Sequence, residues 1–75
     1  MKTQDYKGFQ LVTEQKGKQQ QTIIYQFGEP VGGTFSELDV IDSYKKALIK
    51  IDCWLDGTDY LTELIKYQPH LKAYQ

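Results

Sequence analysis

Apolar and polar residues alternate along two early stretches of the chain. Phe9, Leu11 and Thr13 interleave with Gln10, Val12 and Glu14, and later Ile23, Tyr25 and Phe27 interleave with Thr22, Ile24 and Gln26. A period of two is the signature of strands. Between the two stretches, Glu14-Gln15-Lys16-Gly17-Lys18-Gln19 is polar and carries a glycine able to take positive φ, so the pair reads as a β-hairpin. Loop length decides which side chains meet. A three-residue loop with Gly17 in its left-handed position pairs odd residues with odd ones and gathers Phe9, Leu11, Ile23, Tyr25 and Phe27 on one face. A two-residue Lys16-Gly17 turn splits that apolar set across both faces. The three-residue loop is therefore the expectation. Next comes Gly28-Glu29-Pro30-Val31-Gly32-Gly33. Pro30 cannot donate to a ladder and paired glycines resist regular structure, which suits a loop or an edge strand, with a third strand over 31–35 as the further option.

The spacing then changes to that of a helix. Ser36 is a good N-cap with Asp39 three residues on, and Phe35 and Val40 are placed to form a hydrophobic staple. Apolar residues recur at Ile41, Tyr44, Leu48, Ile51 and Leu55, one face at 3-4-3-4 spacing, and Asp42 with Lys46 adds an i,i+4 pair. Gly57 ends the run as a left-handed cap, giving about 20 residues and roughly 30 Å of helix. Thr58 or Asp59 caps a shorter helix bearing Tyr60, Leu61, Leu64, Ile65 and Tyr67, stopped by Pro69. Residues 70–75 read as a flexible tail. The fold class is α+β: a two- or three-stranded antiparallel hairpin or meander on one long helix, followed by a shorter one, in the order ββ(β)αα. All 75 residues are expected to form a single small domain.

Leu38, Ile49 and Trp54 fall roughly 100° or more from the centre of the long helix's apolar stripe. So narrow a sheet covers one side of a helix only. The surplus must lie under the second helix or against another subunit, so a homodimer is a natural expectation.

Composition narrows the functional classes. Nine lysines and no arginine stand against ten acids, for a net charge of −1. Residues 1–27 balance at +2 and residues 28–75 at −3, a mild polarity that solubility alone accommodates. Nucleic-acid binding is disfavoured by this balance and by the lack of arginine, the side chain best suited to bidentate phosphate and guanine contacts. No apolar run exceeds three residues, so no membrane span is expected. A lone cysteine, Cys53, makes an internal disulfide impossible and points to a cytoplasmic setting.

Candidate chemistry is sparse. Cys53 and His70 are single residues of their kinds and do not form a nucleophilic pair without an orienting group. They also fall short of a zinc set. The acids Asp52, Asp56, Asp59 and Glu63 cluster at the break between the helices but lack the alternation of a calcium loop. Capping and a solvated face account for them. Gly28, Gly32 and Gly33 before Ser36 have neither P-loop nor dinucleotide spacing. No catalytic residue, metal or cofactor is expected.

A polar face of Gln10, Val12, Thr22, Ile24 and Gln26, flanked by Lys7, Lys16 and Lys18, is the chain's nearest approach to a groove-reading surface. In outline, short strands leading to a helix that opens at Gly33-Thr34-Phe35-Ser36 resemble the small AP2-like DNA-binding domains of phage integrases. They equally resemble the HicB-type antitoxin fold. The first resemblance implies DNA binding through Arg-rich strands, and this chain has no arginine.

Six tyrosines, three phenylalanines and one tryptophan are generous for the size, and Tyr and Trp favour binding hot spots. Tyr6, Tyr67 and Tyr74 lie outside the core patterns. The function expected is therefore non-catalytic: a protein-binding or assembly module, a regulator or inhibitor of a larger protein, contacting its partner through Ile49, Trp54, Tyr60 and Tyr67. The alternative is a nucleic-acid-binding module using Lys7, Gln10, Lys16, Lys18, Thr22 and Gln26.

Overall fold

The computed structural model describes residues 1–37 and 41–67. Four strands, β1 (Lys2–Tyr6), β2 (Phe9–Lys16), β3 (Gln19–Gln26) and β4 (Glu29–Glu37), form an antiparallel meander in the order β1-β2-β3-β4. Two helices, α1 (Ser43–Asp56) and α2 (Tyr60–Tyr67), follow. The α+β class is as expected, but the sheet has four strands rather than two or three. The optional strand at 31–35 forms and is longer, and β1 arises from the polar stretch Lys-Thr-Gln-Asp-Tyr, which carries no clear alternation.

Three two-residue turns join the strands. Lys7-Gly8 has φ of 49° and 86°, and Phe27-Gly28 has φ of 54° and 80°, both the left-handed pair that matches strand twist. The central turn is Gly17-Lys18, closing on the pair Lys16–Gln19. The expected three-residue loop is thus corrected. Gly17 does take positive φ, at 63°, but as the first residue of a shorter turn. Odd residues of β2 now face even residues of β3: Leu11 pairs with Ile24, Val12 with Ile23 and Gln10 with Tyr25. One residue of loop length moves Ile23 and Tyr25 to the opposite face. Phe27 leaves the apolar face altogether and sits in a turn, 95% exposed.

The main core lies between sheet and α1. Phe9, Leu11, Ile24, Ala47 and Ile51 are buried together, with Tyr6, Tyr44 and Leu48 packed against them. Of the expected stripe, Tyr44, Leu48 and Ile51 thus face the sheet, while Leu55 is exposed. Ile49, Cys53 and Leu64 form a second cluster between the helices, joined by Ile41 and Tyr60. The Cα trace spans 37 × 34 × 14 Å. It is a thin slab with helices on one side.

α1 starts later than the sequence pattern suggested. Ser36 is the penultimate residue of β4, not a cap. The N-cap is Asp42, whose carboxylate accepts from the Lys45 N–H at 2.8 Å, and the helix has 14 residues, about 21 Å. Val40 of the expected staple, and Leu38, lie outside the described residues. The Gly33-Thr34-Phe35-Ser36 segment is strand, which removes the helix opening on which the two family resemblances rested. Gly57 caps α1 in left-handed conformation, and Asp59 caps α2 through the Thr62 N–H at 2.9 Å, both as expected.

Polar residues, rather than apolar ones, fix the N-terminus of α1 to the sheet. Gln20 Oε1 accepts from both the Ser43 N–H (2.7 Å) and the Ser43 hydroxyl (2.8 Å). The single Ser43 hydroxyl proton is thereby committed, so its oxygen accepts from Thr22 Oγ1 at 2.8 Å, and Thr22 in turn accepts from Thr13 at 2.9 Å. Thr34 donates to the Ser43 carbonyl and Ser36 to that of Ile41. Thr22 and Ser43 are fully buried, and every hydroxyl of this relay and the Gln20 amide oxygen have partners.

Candidate functional site

Helices cover one face of the sheet and leave the other open. Alternation puts Thr3 and Asp5 of β1, Gln10, Val12, Glu14 and Lys16 of β2, Gln21, Ile23 and Tyr25 of β3, and Phe35 and Glu37 of β4 on that open face. Its centre is apolar. Val12 and Ile23 are directly opposite each other and half-buried by their neighbours, Tyr25 is similar, and Phe35 beside Gln21 is 52% exposed. Met1, Val12, Glu14, Gln21, Ile23 and Tyr25 line a shallow hollow of about 160 Å³. A groove of about 370 Å³ bounded by Asp5, Gln10, Tyr25 and Phe27 extends it between the two outer turns at one end of the sheet. The rim carries Asp5, Glu14 and Glu37 against Lys16, with Lys18 in the adjoining turn, whereas Lys45, Lys46, Lys50 and Lys66 all belong to the helices.

Phe27 is the notable residue at the end of this groove. A bulky side chain at positive φ is uncommon, and here it gains nothing from burial to offset the strain. A turn residue of this kind would normally be Asn, Asp or Gly.

The two sheet edges differ. β4 is an edge strand, and its Phe35 and Gly33 carbonyls accept from Lys46 Nζ (3.0 Å) and Lys50 Nζ (3.1 Å), two lysines one turn apart on α1. Such lysines blunt an edge against further strand pairing. β1 has no comparable cover among the described residues.

The residues expected at a partner surface fall into two groups. Ile49, 7% exposed, is in the inter-helix cluster, and Tyr60 packs half-buried against it beneath Lys50, whose Nζ sits 5.4 Å from the ring centre. Burial also raises the Tyr60 phenol above its ordinary pKa of 10.0, with the neighbouring Cys53 adding to the effect. Trp54 is 42% exposed, tilted against Phe9 with ring centres 5.8 Å apart, and lies over Gly32. Tyr67 is exposed with Lys45 Nζ 5.7 Å from its ring. The apolar surplus of α1 is therefore met within the chain at Ile49 and only in part at Trp54. Tyr6 packs on the core and donates to Asp52. Tyr74 and His70 lie outside the described residues.

The six residues of the alternative nucleic-acid face do not come together. Thr22 is buried under Ser43, and Gln26 shares its side of β3. Lys7 is at the opposite end of the sheet from Lys18, bonded to Asp52 at 2.8 Å, while Gln10 and Lys16 are on the open face.

The acidic cluster borders a cleft of about 240 Å³ between α1 and α2, lined in part by Asp52, Asp56, Cys53 and Glu63. Most of these acids have structural employment. Asp52 accepts from Lys7 and Tyr6, and those bonds, Lys7 first, hold its carboxyl below the ordinary 3.8 against the opposing effect of partial burial. Asp59 is lowered by the Thr62 N–H and then its hydroxyl, and Glu63 pairs with Lys66 at 3.1 Å. Among the described residues no group of three potential ligands could hold a metal ion.

Sequence reasoning missed the open face because it placed Ile23 and Tyr25 inside. The signal was present: glycines at 8, 17 and 28 mark turns at a spacing of about ten residues, the mark of a meander of short strands. The chain matches no known protein family, no curated protein and no solved structure.

Proposed function

We propose that this protein is a non-catalytic protein-binding module, working in the cytoplasm as a regulator or assembly factor, and that its working surface is the open face of the sheet. The observation that carries this reading is the apolar centre of that face, Val12, Ile23, Tyr25 and Phe35, ringed by acids and ending at the exposed, strained Phe27. An apolar patch with a polar rim is the anatomy of a recognition surface. Charge specifies the partner further: the acids Asp5, Glu14 and Glu37 outnumber Lys16 and Lys18, which suits a protein surface with an apolar centre and basic margin better than phosphate. Trp54 and Tyr67 on the helix side are a separate, smaller contact region.

The test is capture of partners from the native cell by the wild-type chain and by Ile23→Lys, followed by amide shift mapping with each purified partner. Binding that maps to Val12, Ile23, Tyr25 and Phe35 and disappears in Ile23→Lys supports the reading. Binding confined to the helices overturns it. So does salt-sensitive retardation of nucleic acid in a gel with no protein partner.

A further inference from the structure

We propose that β1 is a docking edge for a second copy of this chain, the two β1 strands pairing antiparallel about Gln4 to give a continuous eight-stranded sheet. Three observations lead there. The two-residue turn makes Tyr6–Phe9 the closing hydrogen-bonded pair, so Gln4–Leu11 and Lys2–Thr13 are the next bonded pairs and the backbone groups of Thr3 and Asp5 point away from β2. No hydrogen bond reaches them among the described residues, whereas the β4 edge is blocked by Lys46 and Lys50. One edge is closed and the other open.

The second observation is Gln4 itself. Its Oε1 is shut off from solvent without a hydrogen-bond partner, and no other side-chain polar atom among the described residues is in that position. A buried orphan acceptor gives up its bond to water and gains none in exchange, so such groups call for a partner. Pairing about Gln4 sets its amide directly opposite that of the copy in a non-hydrogen-bonded pair, where side chains come closest. For this the Gln4 Oε1 turns outward from its closed position, and each amide then donates to the other. The same register places Thr3 opposite Asp5 and Lys2 opposite Tyr6, whereas a register centred on Asp5 would set the two carboxylates face to face.

The third is area. Four strands about 4.8 Å apart and about seven residues long present an open face of roughly 19 × 24 Å, near half of the ~800 Å² per partner of a standard interface. In-plane pairing keeps both helix layers on one side and merges the two open faces on the other, which brings the surface to that size. The area argument rests on the proposed role of the open face, whereas the strand edge and Gln4 do not and use different atoms, so either proposal can fail alone.

The experiment is sedimentation equilibrium from about 10 µM to about 1 mM, combined with amide hydrogen exchange over the same range. The average mass should climb towards twice the monomer's, and the Thr3 and Asp5 amides should gain protection as concentration rises. Thr3→Pro removes only an outward-facing donor, so the chain should fold and associate at least about tenfold more weakly. Gln4→Leu should also weaken association while raising the urea midpoint of the monomer. Ile23→Lys, on the open face, should leave association unchanged. A monomer at every concentration overturns the proposal. So does association that survives Thr3→Pro and is lost in Ile23→Lys, since that would place the contact on the face.

Discussion

The relay Thr13–Thr22–Ser43–Gln20 makes a quantitative demand on stability. Replacing Thr22 by Val keeps shape and volume, so no cavity term enters, and removes a hydroxyl that makes bonds of 2.9 and 2.8 Å while fully buried. Each such bond is worth about 1 kcal/mol net, and the change leaves the Thr13 hydroxyl and one Ser43 lone pair without their partner. The expected loss is about 1–2 kcal/mol. For a domain of this size, with a urea dependence of about 1 kcal/mol/M, the midpoint should fall by roughly 1–2 M. Ser43→Ala removes the bonds to Thr22 and Gln20 but keeps the backbone N–H to Gln20, and should cost a similar amount. The two changes destroy one bond in common. The double variant should therefore cost about 1 kcal/mol less than the sum of the singles. Urea denaturation of all four proteins, followed by circular dichroism, closes the cycle. Additivity within about 0.3 kcal/mol, or a neutral Thr22→Val, would refute the relay as the anchor of α1.

Other perturbations test separate parts of the structure. A Cβ at position 32 would lie 2.8 Å from Trp54 Cη2, so Gly32→Ala should swing the indole away from Phe9, red-shift the single tryptophan's emission and destabilise by about 1–2 kcal/mol. Unchanged emission would show that the ring does not lie there. Phe27→Asn relieves a left-handed aromatic without losing burial and should raise stability by about 0.5–1 kcal/mol in thermal melts, while weakening partner binding if the groove is used. The lowered carboxyls of Asp52 and Asp59 stabilise the fold at pH above their ordinary 3.8, and that contribution is lost as pH falls through their folded values. The raised Tyr60 phenol works in the opposite direction: its contribution is complete below about pH 10 and declines above it. Urea midpoints from pH 2 to pH 11 should form a plateau falling at both ends, with the acid limb shallower in Asp52→Asn.

How legible the fold was depends on which physical signal each element carries. The second half of α1, the Gly57 cap, the Asp59 cap and α2 follow from 3-4 spacing and capping chemistry, both local and strong. β1 was hidden because Lys-Thr-Gln-Asp-Tyr pairs with the sheet through its backbone and offers little apolar alternation. The start of α1 was misplaced because Ser36 satisfies a capping rule that Asp42 satisfies equally, and β4 used Ser36 instead to bond the Ile41 carbonyl. Of the residues expected to contact a partner, Trp54 and Tyr67 are exposed, while Ile49 lies under α2, one of the two covers that its place on the helix allowed.

The register error is the most instructive, because a sound rule produced it. Gathering every large apolar residue on one face presumes that the interior is wholly apolar, and here it is not. The N-terminus of α1 needs hydrogen-bond partners from whatever lies beneath it, so Thr22, Thr34, Ser36 and Gln20 face the helix. A strand cannot turn both parities inward. Once Thr22 and Ile24 face α1, Ile23 and Tyr25 must face away, and β2 and β4 follow in register with Val12 and Phe35. Apolar exposure on the far side is thus the direct geometric consequence of a polar anchor on the near side. A sequence free to optimise stability alone could place Thr or Lys at 23 and 25 without disturbing one bond of that relay. That it carries Ile and Tyr there, at about 25 cal/mol per Å² of apolar surface left in water, is the strongest physical reason to expect that something covers them.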